Sequence, residues 1–231
     1  MNHPSRTSAE QPTTLADWER SDDYHNERLI KSDPLLDNIS TEAAKQGVPL
    51  ISVSKAQGKF MNLLLKSMQA KKVLEVGTLA GFSGIWMARA LPDDGQLVTL
   101  EYSDLHAKVA EANFAAAKLT HKVKIIVGKA ADTLPTITED GTFDLAFIDA
   151  DKTGNLDYYI HAKRLVRSGG VIIVDNVVRN GFVAVPEVTD TAIEGVRRLL
   201  EYVKTDTEVE ATTLATVGEK GYDGFLYGVK L

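Results

Sequence analysis

The chain has 231 residues, 44% of them apolar, which is enough for one sizeable core and too few for a multidomain assembly. Its formal net charge of −6, with no basic block, argues against a nucleic-acid partner bound through phosphates. Cysteine is absent, which excludes thiol catalysis, disulfide frameworks and thiolate zinc sites, and apolar runs such as Leu145–Ile148 and Val171–Val174 are too short to span a bilayer.

Residues 1–33 read as a tail and an arm helix ahead of a single domain over 34–231. The tail, Met1–Thr14, is polar. Acids outnumber cations in this segment and no apolar stretch is present, unlike a transit or signal peptide, so the cytoplasm is the expected compartment. From Leu15 to Ile30 a helix is predicted on a thin stripe of Leu15, Trp18, Leu29 and Ile30. An exposed Trp18 would suit a partner surface; packing of the arm on the domain body is the alternative. Ser54 and Gln57 form a capping box, followed by Phe60, Met61, Leu64, Leu65 and Met68 on one helical face.

From there strand and helix alternate. Strands begin at Val73, Leu97, Val123, Leu145 and Val171, spaced 22–26 residues apart. Helical patterns lie between them at Gly84–Leu91, Leu105–Leu119, near Leu134 and at Leu156–Val166. Parallel strands joined by right-handed crossovers follow. Residues 177–189 read as a loop, and a helix follows from Asp190 with Ile193, Val196, Leu200 and Val203 on one stripe. Glu208–Val217 and Phe225–Leu231 then read as an antiparallel hairpin joined through Gly218–Gly224. The expected fold is α/β, in three layers, with an antiparallel C-terminal pair.

Open parallel sheets bind ligands at the carboxyl ends of their strands, so the residues standing there are informative. The first strand ends in a glycine-bearing turn running from Glu75 through Gly77, Thr78 and Gly81 to Ser83. A dinucleotide fingerprint needs glycine where Leu79 stands, which argues against NAD. Glu101 closes the second strand, 24 residues after Gly77, where an acid accepts both hydroxyls of a ribose; a solvated strand-end residue is the alternative. The fourth strand ends Asp149-Ala150-Asp151-Lys152 and the fifth Asp175-Asn176. If these strands are neighbours, their ends lie ~5 Å apart. Asp149, Asp175 and Asn176 then offer three hard oxygens to Mg²⁺, Mn²⁺ or Ca²⁺, although each taken alone could merely cap a helix.

Glu75-Val-Gly-Thr-Leu-Ala-Gly-Phe-Ser83, Asp149-Ala-Asp-Lys152 and Asp175-Asn176 resemble the motifs of cation-dependent O-methyltransferases of the catechol and caffeoyl-CoA type. The stretch Ser54–Leu65 is similar to the helix preceding their first strand, and the resemblance covers about residues 40–231. It implies a Rossmann-like methyltransferase fold with a mainly parallel seven-stranded sheet. It also implies S-adenosylmethionine against Val53, Glu75, Gly77, Thr78, Ser83, Glu101, Ala130 and Asp151, and a metal on Asp149, Asp175 and Asn176. Lys152 matches a lysine beside the metal, where the cation disfavours its ammonium form and lets it act as base. Asn180 matches an asparagine near the substrate. Two departures concern the acceptor: Arg179 stands where plant caffeoyl-CoA enzymes carry Trp, and Val53-Ser-Lys-Ala-Gln-Gly58 replaces their usual Thr-Ser-Ala-Asp-Glu-Gly. The acceptor implied is a small vicinal aromatic diol: a catechol, a flavonoid or a hydroxycinnamoyl ester. A homodimer is the implied assembly. The alternatives are a nicotinamide-dependent oxidoreductase and a non-catalytic nucleoside-binding module.

Overall fold

The computed structural model describes residues 12–231, so most of the tail expected over Met1–Thr14 lies outside the described residues. Two helices lead the chain, α1 (Leu15–Leu29) and α2 (Pro34–Ala44). Asp33 caps α2, its carboxylate accepting the Leu35 and Leu36 N–H groups. Next comes α3 (Lys55–Ser67), whose first turn is capped by the Ser54 side chain accepting the Gln57 N–H at 3.1 Å. The alternating segment then gives β1 (Lys72–Val76), α4 (Phe82–Ala88), β2 (Gln96–Glu101), α5 (Asp104–Ala116), β3 (Val123–Val127), α6 (Ala130–Thr133), β4 (Phe143–Ile148), α7 (Asn155–Leu165) and β5 (Val166–Asp175). The chain closes with α8 (Thr191–Val203) and the hairpin β6 (Val209–Gly218) and β7 (Gly221–Lys230). No helix among the described residues is long and apolar enough to cross a membrane.

The seven strands form one sheet in the order β3-β2-β1-β4-β5-β7-β6. β1 to β5 are mutually parallel, while β7 runs antiparallel to both β5 and β6. This is the Rossmann-like arrangement that the sequence resemblance implies, with the strand order reversing between β1 and β4. Both faces of the central strands are covered, and the side-chain period of two shows it. In β4, Leu145 and Phe147 pack with Phe114 and Trp86, while Ala146 and Ile148 pack with Tyr159 and Leu199 on the other face. Burying such a large apolar side chain contributes roughly 1.5–3 kcal/mol.

Three boundaries differ from expectation. β5 begins at Val166, which pairs with Phe143; the ladder then jumps to Leu145 opposite Val171. The intervening Gly169 takes φ +71 in a bulge, so the strand starts five residues earlier than Val171. The hairpin loop is only Glu219-Lys220, with Gly221 at φ +89. Gly224 lies inside β7, where an added Cβ would come within 2.5 Å of the Leu214 carbonyl oxygen. That glycine serves close packing of two strands, not a turn. In α1 no residue is buried, and Ile30 reaches the core just past its end. Trp18, for which both an exposed and a packed position were open, is half-buried and donates its indole N–H to Thr13 Oγ1 at 2.7 Å. The arm is tied down where Asp22 accepts the Glu219 N–H at 2.8 Å.

Candidate active site

A cleft of about 910 Å³ opens at the carboxyl ends of the parallel strands, across the switch point between β1 and β4. Its floor begins at the turn after β1. Gly77, at φ +105, lies so close to β4 that a Cβ there would meet the Asp149 carbonyl oxygen at 2.1 Å. Leu79 takes φ +51, a left-handed conformation at the position where a dinucleotide turn would place glycine.

Glu101 is buried and joins the β1 and β2 turns. Its Oε2 accepts the backbone N–H groups of Thr78 (3.2 Å) and Leu79 (2.8 Å), and its Oε1 accepts that of Ser103 (2.9 Å). His106 Nδ1 stands 3.4 Å from Oε1. The solvated strand-end alternative is therefore overturned: the carboxylate is a rigid part of the cleft wall.

Glu75 does not line the cleft; it lies beneath it, fully buried on the sheet face covered by α4. One oxygen accepts Ser83 Oγ at 2.5 Å and the other accepts Thr99 Oγ1 at 2.6 Å. Thr78 Oγ1 extends this network, 2.6 Å from Thr99 Oγ1. Burial pushes the Glu75 carboxyl up to about 7, against the pull of the two hydroxyl hydrogen bonds and with help from the charges of Asp149 and Glu101.

The β4 and β5 ends carry the second cluster. These strands are neighbours, as the metal reading requires. Lys152 Nζ donates to Asp149 Oδ1 at 2.9 Å, and its side chain is only 9% exposed. Asp175 is buried, and its carboxyl is pushed up to about 7 by burial and then by the like charge of Asp149. Lys152, the Asn176 N–H and the Gln57 side chain oppose that shift. Gln57 thus turns toward Asp175, and only the Ser54 half of the expected capping box is formed. Asp151 caps the turn at Lys152–Gly154, accepting from Thr153 Oγ1 (2.6 Å), Gly154 N (3.0 Å) and Tyr158 OH (2.5 Å).

Of the residues expected at the site, Val53, Gly77, Thr78, Ser83, Glu101, Ala130, Asp149, Asp151, Lys152 and Asn176 line this one cleft. Asp175 sits just behind it, and Asn180 is exposed and outside its lining. Asn176, Arg179 and Asn180 all take positive φ, of 57°, 51° and 56°. Such left-handed backbone in non-glycine residues costs of order 1–3 kcal/mol each and gathers at functional segments. Sequence reasoning missed Tyr102, His106, Lys129 and Tyr158 as lining residues. Tyr102 directly follows β2 and Lys129 comes two residues after β3, so both were findable by that rule; His106 and Tyr158 project from helices and carried no such signal.

Comparison with known proteins agrees with this geometry. The model of a family described as O-methyltransferase matches residues 26–224. A catechol O-methyltransferase from Niastella koreensis is 46% identical over 214 residues, covering 92% of this chain and 97% of the relative. The solved O-methyltransferase of Bacillus cereus, in complex with SAH, is 41% identical at a TM-score of 0.91, covering 94% of this chain and 100% of that one. TomG of Streptomyces achromogenes, an O-methyltransferase involved in tomaymycin synthesis and solved with SAM, is 40% identical at a TM-score of 0.90, covering 95% and 99%. A nicotinamide-dependent oxidoreductase and a bare nucleoside-binding module are thereby set aside. The chain belongs to the O-methyltransferase family.

Proposed function

We propose that the protein transfers a methyl group from S-adenosylmethionine to one hydroxyl of a small vicinal aromatic diol, with a divalent cation at Asp149, Asp175 and Asn176. One observation carries the reading. The β1 turn and Glu101 form one wall of a cleft whose other wall holds Asp149, Lys152 and Asn176. Donor and acceptor can therefore meet over the switch point. The relatives support it: two solved neighbours hold SAM or SAH, and a 46% identical protein is named a catechol O-methyltransferase.

On this reading Glu101, already oriented by three backbone N–H groups, keeps one lone pair of Oε1 for a ribose hydroxyl. Val53, Gly77, Thr78 and Ala130 supply close backbone and Asp151 a polar edge. Glu75 acts from below, holding Ser83 and Thr99 in place.

The donor set suits a hard divalent cation: two carboxylates and an amide oxygen, with Asp175 raised by burial and by its neighbour's charge, a repulsion that a cation relieves. Among the described residues no three acidic, histidine or cysteine side chains cluster, and on this reading the third donor is the amide of Asn176, which follows Asp175 and lines the cleft. When bound, the cation supplies Lewis acidity and a two-point grip on adjacent hydroxyls. Lys152 is the base, taking the proton of the hydroxyl that attacks the methyl carbon. To do so it must release its ion pair with Asp149. Alignment of oxygen, methyl carbon and sulfur in the closed cleft supplies much of the remaining acceleration.

The test is transfer of labelled methyl from S-adenosylmethionine to catechol, with Mg²⁺ and with excess EDTA. Methylated product only with metal is expected. Full turnover in EDTA with metal absent by elemental analysis defeats the cation assignment, and no product from any vicinal diol defeats the substrate class.

A further inference from the structure

We propose that Arg179 binds a carboxylate on the ring of the methyl acceptor, so that the preferred substrate is an acidic vicinal diol. This deepens the methyl-transfer reading above and rests on it.

The charged side chains of the cleft are mostly engaged within the protein. Glu101 and Asp151 accept from backbone and hydroxyl donors, and Asp149 and Lys152 hold each other at 2.9 Å. Arg179 and Lys129 line the cleft and form no salt bridge among the described residues. The sheet order separates these two cations. Lys129 follows β3 and Arg179 follows β5, with β2, β1 and β4 between. Four strand spacings put those ends roughly 19 Å apart. Lys129 thus stands on the donor side, beyond Glu101, while Arg179 stands on the acceptor side, three residues past Asn176.

Arg179 is also held in place. Asp223 Oδ1 accepts the N–H groups of Val178 (3.1 Å) and Arg179 (2.8 Å), fixing the left-handed backbone at Arg179 and Asn180. The loop that follows is pinned by Arg197, which donates to the carbonyls of Val183 (3.0 Å) and Val188 (2.8 Å). A half-buried guanidinium without a carboxylate, in a chain of net charge −6, is a fork of N–H donors awaiting a planar anion. Carboxylate and phosphate share that chemistry. The short chain distance from Arg179 to Asn176 favours an anion carried on the ring itself over one at the end of a long thioester.

The experiment compares kcat/KM for 3,4-dihydroxybenzoate, its neutral amide and a dihydroxycinnamoyl-CoA thioester, in wild type, Arg179→Gln and Arg179→Glu, all with Mg²⁺. Calorimetric titration of the benzoate and the amide accompanies it, so the inference is tested even without turnover. Wild type is expected to favour the benzoate over the amide by about tenfold or more, mainly through KM. That ratio should fall to near one in Arg179→Gln, and Arg179→Glu should prefer an aminoethyl catechol. Melting curves show whether both variants are folded. A wild-type ratio near one, or a ratio unmoved in folded Arg179→Gln, overturns the proposal. So does a preference for the thioester that alone depends on Arg179. Absence of methylation of every diol tested, with benzoate still bound more tightly than amide, instead sinks the methyl-transfer reading alone.

Discussion

The two walls of the cleft are built on different terms. On the β1–β2 side every carboxylate has its partners inside the chain: Glu75 has two hydroxyls and Glu101 three backbone N–H groups. On the β4–β5 side Asp149 and Asp175 repel each other with one ammonium between them, and the adjoining loop holds three non-glycine residues at positive φ. A satisfied wall is rigid before any ligand arrives. A frustrated one stores charge and backbone strain that a bound cation and substrate would offset. On the proposed function, the donor site is preformed and the acceptor site is completed by its cation and substrate.

The largest effect should come from the frustrated side. Asp175→Asn is expected to reduce turnover to background while keeping or raising the melting temperature, because it removes a buried like charge. A large drop in melting temperature would mean that Asp175 is structural. Donor affinity by calorimetry should hardly change in this variant, and a collapse there would erase the distinction between the walls.

Lys152 comes next. A general base contributes ~10²–10⁴ in rate, so both Lys152→Ala and Lys152→Arg should be crippled near pH 7 and recover partly as the acceptor hydroxyl ionises at higher pH. Near-normal turnover by Lys152→Arg at neutral pH would show that only positive charge is needed there.

Glu75 sharpens the contrast through stability. Its folded carboxyl titrates at about 7 against an unfolded value of 4.5. The stability it contributes is therefore full below about 4.5 and lost as pH rises through about 7, a difference of about 3 kcal/mol. Asp175 acts in the same direction over the same window. Glu75→Gln should flatten the decline of melting temperature between pH 5 and 8, and parallel curves for the variant and wild type would refute the assignment.

The smallest effect expected is at Glu101. Glu101→Ala should weaken S-adenosylmethionine by ~1.5–3 kcal/mol, the worth of a charged hydrogen-bond acceptor. Unchanged affinity would put the ribose elsewhere.

Much of this molecule was legible in order along the chain. Branched runs at Val73, Leu97, Val123, Leu145 and Val171 each became a parallel strand, because a strand covered on both faces leaves a short, nearly continuous apolar run. The strand-end rule led to Glu101, Asp149 and Asp175, because ligand chemistry in open sheets collects where strands stop. Glycine was harder to read. Gly77 does mark a close approach, but Gly169 and Gly224 lie within strands, in a bulge and a tight packing contact, and local sequence does not separate these uses from turns.

Sequence by itself determined the alternation of strand and helix, the glycine turn, and the acids and amide at the strand ends, since each depends on neighbours a few residues away. Tertiary structure alone decided that Glu75 lies beneath the cleft while Glu101 lines it, and that Gln57 turns to Asp175. It also decided that Arg179, not Asn180, faces the cavity. Those outcomes depend on which strands become neighbours and on the backbone sign at single residues. Both are settled by tertiary packing, where burial and charge are shared among segments from some twenty to more than a hundred residues apart.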